Sequence, residues 1–469
     1  MSLPLVSLHP PSHGGDVDLA DAPRPDWVLL DFRAYVDSCT NATTASCKAR
    51  DGLNDIQVTF FPAQPPRVSH FCVYCPGLGP YCFGEEPRII ATDGKFVLLR
   101  IFIGRRHDIL CHNLHEYYIY CADGGTDGGP SLQLIPHPSP YNFHDGQVGL
   151  VSRGTSYTIA ILRDDSSAFF RGFSNMGKYD VCLFNSEDKI WRAIPVSVPY
   201  EEECQEECSD DDEGFVHETT KVITVGGEHG TIAFVDLWRG ILLYDVFRQV
   251  PVLRYIPLPG MFRPSPTPNA TPSVTRDIAF VKGCIRIVHT VMKIKSATRV
   301  FGDYVSGGWV ASKWSIKAPF DDNSCWTEDC TIDASDIFPA SLELLKDLPG
   351  KGGKPCETLE TFHTGHPTLS LDDDGIVYFM AKVKQQEKKA WILAVDMNHR
   401  MLLQISAFGA ERTFGLSYTY TQSRISKYLN MTPGTKGDLK RPGMPLPGLC
   451  NKKLSGISSV ACREAEDDV

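Results

Sequence analysis

The stretch GEHGTIAFVDLWRGILLYDVFRQVPVLRYIPLP, residues 227–259, decides the fold. Three short apolar runs, TIAFVDL (231–237), GILLYDVF (240–247) and VLRYIPLP (252–259), are rich in Val, Ile, Leu, Tyr and Phe. Gly, Asp, Arg or Pro separates them at spacings too short for helices, so they predict strands joined by hairpins. The same design recurs along the chain. TDGKFVLLRIFI, EYYIYCADGG and SLQLIPHP fill 92–138, while YTIAILRDD, YDVCLFNSEDK and IWRAIPVSVP fill 157–199. DDDGIVYFMAKV, AWILAVDMNH and RMLLQISAF complete a further unit over 372–408. Each unit reads as a Gly- or Asp-containing turn, an inner strand, and outer strands of which the last commonly closes on Pro.

A four-stranded sheet alone leaves its edges and both faces exposed. Radial packing of such sheets buries the faces and leaves only short edges. On the order of two dozen strands therefore predict an all-β, propeller-like ring of five to seven four-stranded blades with few short helices. The one convincing helix is SDIFPASLELLKDL (335–348), beginning after Pro339. The expected boundaries are a flexible lead-in over 1–26, the propeller over 27–429, and a flexible tail over 430–469.

Composition fits a folded chain: 42% of residues are hydrophobic and 22% charged. The net charge of −11 is concentrated in EEECQEECSDDDE (201–213), which supplies nine carboxylates and no base. The rest is nearly neutral, which argues against binding along a nucleic-acid backbone. Like-charge repulsion makes 201–213 an expected solvated loop, with a basic partner as its secondary reading. It lacks the Gly-centred pattern of a calcium-binding loop. The apolar runs fall far short of the roughly 20 residues that span a bilayer. The start, MSLPLVSLHPPSHGG, lacks the basic and apolar regions of a signal peptide. The expected location is cytoplasmic or nuclear, with the 16 cysteines reduced and packed as small hydrophobes.

Several motifs agree, in order, with a known family. VDLWRGILLYDVFRQVPVLRYIPLP (235–259) resembles the signature of the plant domain of unknown function 1618, a kelch- and F-box-associated-like propeller group. FFPAQPPRVSHFCVYCPG (60–77), WVLLDFRAYV, DGKFVLLRIF, GLVSRGTSYTIAIL, GGWVASKWSI and LDDDGIVYFMAKV fall in the expected places, over roughly residues 27–410. The resemblance implies an interaction-type propeller and supplies no catalytic residues. Related propellers often follow an F-box, and residues 1–26 are too short and Pro-rich to form one.

Several clusters have chemical readings. His70, Cys72, Cys75 and Cys82 offer zinc-type donors but lack a second Cys-x2-Cys knuckle, so packed thiols are expected. His107, Cys111, His112 and His115 occupy a connector between strands and read as loop residues. Asp372-Asp373-Asp374-Gly375 reads as a hairpin entry rather than an ion site. Trp238 and Arg239 are the candidate interaction residues, as an Arg–aromatic hot spot on a ring face. The competing and preferred reading makes Trp238 a blade-core residue, with Arg239-Gly240 as the turn. No nucleophile elbow, P-loop or dinucleotide fingerprint occurs, and GGTDGGP (124–130) reads as a flexible turn. The expectation is a monomeric, non-enzymatic module for unknown protein partners, with no cofactor or metal. The alternative is a small-ligand or carbohydrate-binding propeller, with Tyr141, Phe143 and Trp309 as stacking aromatics.

Overall fold

In the computed structural model the repeated hairpins assemble into six sheets arranged as the blades of a β-propeller. The structure describes residues 3–11, 24–104, 108, 111, 114–125, 128–139, 141, 143–164, 177–198, 215–260, 271–297, 304–321, 324–349, 358–413, 415–416 and 419–429. Residues 1–431 form one compact unit.

Blades two to five each contain four antiparallel strands that succeed one another from the ring axis outward. Blade two comprises Arg88–Asp93, Phe96–Phe102, His115–Cys121 and Ser131–Ile135; blade three comprises Val148–Arg153, Ser156–Asp164, Lys178–Asn185 and Trp191–Ser197. Blade four comprises Lys221–Gly226, Thr231–Asp236, Gly240–Asp245 and Leu253–Pro257; blade five comprises Arg276–Val281, Cys284–Ala297, Tyr304–Lys317 and Thr327–Asp333. Blade six runs outward through His363–Leu369, Ile376–Lys382, Lys389–Asp396 and Met401–Gly409, with the two-residue strand Phe338–Pro339 added in parallel at its outer edge.

Both ends of the chain build blade one. Its innermost strand is Tyr420–Ser423, which pairs antiparallel with Val28–Asp31 in the register Val28↔Ser423 to Asp31↔Tyr420. Val68–Tyr74, Asp55–Phe61 and Ala45–Lys48 follow outward, and Tyr35–Val36 pairs with Val68–Tyr74. The last strand thus closes the ring and removes the sheet edges that an open array would leave. Arg412 fastens this joint: its Nη2 lies 2.5 Å from Asp31 Oδ2, and its guanidinium sits 3.6 Å from the Tyr35 ring centroid.

Apolar side chains on both faces of each sheet meet those of the neighbouring blades. Ile232, Phe234, Leu242 and Tyr244 of blade four pack with Ala160, Leu162 and Val181 of blade three, and all are buried. The blades approach closely at Gly149, where a Cβ would lie 2.1 Å from Ile232 and 2.6 Å from Val222, so only glycine fits.

Two expectations change. The Gly/Asp turns do not precede the innermost strands; they join these to the second strands, so each repeat begins one strand earlier than its apolar signal. The expected helix becomes a 3-10 turn, Leu342–Asp347, capped by Ser341, and no α-helix occurs among the described residues. Between the strand Phe338–Pro339 and the Pro349-Gly350 break there is too little chain for three helical turns. The acidic run 201–213 and the tail 430–469 lie outside the described residues. Of the lead-in, Leu5–Leu8 forms a 3-10 turn and Leu3 is buried in the core of blade one.

Candidate interaction face and central channel

The six innermost strands surround a channel with a cavity of about 520 Å³. These strands mix apolar residues with polar ones, as in KVITVG, RDIAFV and YTQS, and in RDIAFV both Arg276 and Asp277 are buried. In the channel lining, Lys221 Nζ lies 2.6 Å from Asp277 Oδ1 and donates to Gln422 Oε1 at 3.0 Å. Gln422 Nε2 donates to Asp277 Oδ2 at 2.5 Å and to the Leu369 carbonyl at 3.1 Å. The Leu369 amide donates to Asp277 Oδ2 at 2.9 Å. Blades four, five, six and one are therefore tied through one carboxylate, which neutralises the channel lysine. His366 is buried beside this group, its Nε2 3.0 Å from the Tyr420 carbonyl oxygen, and burial pushes its imidazole down to about 4. It is neutral at physiological pH and serves as a joint between blade six and the closing strand.

Strand register sorts the connections between the two faces of the ring. First-to-second and third-to-fourth strand turns emerge on one face; they are tight at 94–95, 154–155, 282–283 and 397–400 and longer at 122–130, 246–252 and 318–326. Second-to-third strand loops and blade-to-blade links emerge on the other face. On that face lie the strand ends Phe102 and His115, Asp164 and Lys178, Ser197 and Lys221, and Pro257 and Arg276, each pair separated by a long stretch of sequence.

Trp238 and Arg239 stand on that long-loop face, beside the channel mouth. The turn is Asp236–Arg239, and Trp238 is part of it and half-buried rather than inside a blade. The Asp236 carboxylate, itself fully buried, accepts the amides of Trp238 at 2.8 Å, Arg239 at 3.2 Å and Glu218 at 2.9 Å. Arg239 Nη1 reaches back to the same carboxylate at 3.0 Å while its side chain stays 40% exposed. The Trp238 ring lies over Arg276, with 4.4 Å between guanidinium carbon and ring centroid. Arg276 is buried, donates to the Leu237 carbonyl at 2.6 Å, and is pushed down to about 10 by burial. The Arg–aromatic pair is thus an internal one, Trp238 with Arg276, and Arg239 is the member that faces solvent.

The other sequence candidates separate. Cys72 and Cys75 are buried thiols, Cys75 pushed up to about 11 chiefly by burial, and His70 stacks on Phe61 at 5.0 Å. Among the described residues no three His, Cys, Asp or Glu side chains converge as a metal site. His107 and His112 lie outside the described residues; Cys111 is exposed and His115 buried. The Asp372–Gly375 segment is a turn in which Asp373 accepts the Gly375 amide at 2.9 Å, while Asp372 pairs with Arg424 and Asp374 with Arg286. Trp309 is fully buried against Phe379, 4.7 Å between centroids, so it cannot stack on a sugar. Tyr141 and Phe143 are half-buried against the core between blades two and three. Lys221, Asp277 and Gln422 escaped sequence reading because only the ring brings their distant positions together.

Comparison with known proteins adds the following. Residues 234–378 match the family model described as "Protein of unknown function (DUF1618)". No curated protein matches the chain. Among solved structures, the WD40 domain of SCAP from fission yeast is 8% identical with a TM-score of 0.27, covering 77% of this chain and 66% of that one. The hemagglutinin-neuraminidase of parainfluenza virus 5 with the ligand DANA is 9% identical with a TM-score of 0.31, covering 81% and 92%. Xylan beta-1,4-xylosidase from Bacillus halodurans C-125 is 10% identical with a TM-score of 0.28, covering 78% of each. No helix among the described residues is long and apolar enough to cross a membrane.

Proposed function

We propose that this propeller, which carries the DUF1618 segment, is a non-catalytic protein-interaction module whose long-loop face receives the partner. The observation that carries the reading is the sorting of connections. Rigid blades hold on one side the strand ends Asp164 and Lys178, Ser197 and Lys221, and Pro257 and Arg276, from which long stretches of sequence leave, and Arg239 is exposed on that side. Such a frame presents variable chemistry at low ordering cost. The channel supports the same reading, since its lysine and carboxylate satisfy one another and its buried histidine bonds to backbone. The partner is expected from the cytoplasm or nucleus, and the working state is a monomer.

Affinity purification of the full chain tests this. A stoichiometric partner is expected, lost when 199–214 and 261–270 are replaced by Gly/Ser segments of equal length together with Arg239→Glu. Substitutions at the 154–155 and 397–400 turns should leave it bound. A partner lost only through the tight-turn face, or no partner at all, overturns the proposal.

A second reading has its own motive. A channel of about 520 Å³ lies within the size range of small-molecule sites. A ligand-array thermal-shift screen separates the two: a hit abolished by substitutions at Thr421 or Thr92, which line the cavity, would favour the ligand-binding propeller.

A further inference from the structure

The outer edges of the six blades are not alike. Edge strands present unpaired amides and carbonyls, and proteins blunt them with charge, proline, shortness or cover. Blade one ends on the four-residue Ala45–Lys48, which includes a lysine. Blade two ends on Ser131–Ile135, stopped by Pro136, whose carbonyl is taken by Trp191 Nε1 at 3.0 Å. Blade three carries Arg192 and Pro195, blade four Arg254 and Pro257, and blade five Glu328, Asp329 and Asp333. Met401–Gly409 of blade six, MLLQISAFG, has nine residues with neither charge nor proline.

Among the described residues, the chain pairs with only one end of this strand. Phe338–Pro339 pairs in parallel with Met401–Leu402, through the Phe338 amide to the Arg400 carbonyl at 3.0 Å and the Ala340 amide to the Leu402 carbonyl at 2.9 Å. At Ser341 the chain turns off into the 3-10 turn, and no strand among the described residues pairs beyond Leu402 on that side. The strand itself is fixed: Ile405 packs towards the core shared with blade five, and Leu403 and Phe408 pack towards blade one. Beside the covered end, Phe338, Leu342 and Met401 are 68%, 77% and 36% exposed, forming an apolar step. Beside the far end stand the exposed Lys388 and Lys389, neither in an ion pair among the described residues.

We propose that the Leu403–Gly409 edge docks an extended partner peptide as an added strand, continuing the cover begun by Phe338–Pro339. Main-chain hydrogen bonds would hold the guest, and alternate side chains would read the step and the flank. The occupant is a peptide of alternating apolar and polar residues. Its apolar end meets Phe338, Leu342 and Met401, and an acidic residue at its other end meets Lys388 and Lys389. This surface lies on the ring's perimeter, apart from the long-loop face.

The probe is a displayed library of short random peptides selected on the full-length protein. Alternating sequences with an acidic flank should be enriched. Ala407→Pro, which removes an edge amide, should weaken them by about tenfold or more, read by fluorescence anisotropy. Where that variant loses its thermal transition, Lys388→Glu with Lys389→Glu serves instead and should switch the enriched flank from acidic to basic. No enrichment of alternating peptides, or binding indifferent to both variants, overturns the proposal. Concentration-dependent dimerisation abolished by Ala407→Pro also overturns it, since a second copy would then be the occupant.

Discussion

Gln422, in the strand that closes the ring, donates to the carboxylate of Asp277 in the innermost strand of blade five, across 2.5 Å. That bond matters because Asp277 also holds Lys221 of blade four and the Leu369 amide of blade six. Removing the carboxylate strands an ammonium whose side chain is only 12% exposed. Asp277→Ala is therefore expected to cost about 3 kcal/mol in urea unfolding. Lys221→Met with Asp277→Leu should recover most of it, because an apolar pair avoids the buried charge. A single variant indistinguishable from the parent would show that solvent in the channel screens Lys221 without help.

Trp238 and Arg239 are neighbours with separate roles. Trp238 covers a desolvated guanidinium, so Trp238→Ala should lower stability by about 2 kcal/mol or more through lost burial and cation–π attraction. Arg239 pairs with Asp236 from an exposed position, and Arg239→Ala should cost under about 1 kcal/mol. Partner binding is expected to respond in the opposite order once stability is matched. Chemical denaturation of both variants checks the first half; an equal loss for the two would refute the division.

Ring closure makes the end of the described chain indispensable. A chain ending before Tyr420 lacks the partner of Val28–Asp31 and leaves a sheet edge open towards the channel. It should lose cooperative unfolding in calorimetry and enter aggregates. A chain ending at Asn430 retains the closing strand and should unfold like the full protein. Equal transitions in the two truncations would mean that the ring stays shut without its last strand.

What was legible in the sequence follows burial. The second and third strands of blade four, TIAFVD and GILLYD, are buried almost throughout, so their apolar runs were visible and located the hairpins. The innermost strands line the channel, and several of them carry polar residues there. RIIATD, KVITVG and especially YTQS carry Arg, Lys, Thr and Gln where a strand pattern would need apolar residues. That is why the repeats read one strand late and why the closing strand gave no signal. Trp238 was misplaced for a related reason: a large aromatic suggests a core, whereas here it roofs an arginine that the next blade supplies from far along the chain. No local pattern encodes the Lys221–Asp277–Gln422 tie, because blade geometry alone creates it.

Buried imidazoles should make stability pH-dependent. His366 is held near 4 by burial, against an ordinary value of 6.5. As pH falls below 6.5 the unfolded chain takes up a proton that the folded chain refuses, so its contribution, complete above 6.5, is lost on acidification towards 4. His217 and His289, also pushed down to about 4, act in the same direction. Burial pushes the carboxyls of Asp31 and Asp93 upward, and they act in the opposite sense as pH rises past the ordinary carboxylate range. A comparison with His366→Gln isolates one group from this sum. Glutamine keeps hydrogen-bonding capacity without titrating, and any cost of the positive φ at this position is the same at every pH. The gap in unfolding free energy between parent and variant should shrink by about 2 kcal/mol between roughly pH 7 and roughly pH 4.5. A gap that stays constant over that window would mean that His366 protonates as easily folded as unfolded, and the joint it forms with Tyr420 would then be open to water.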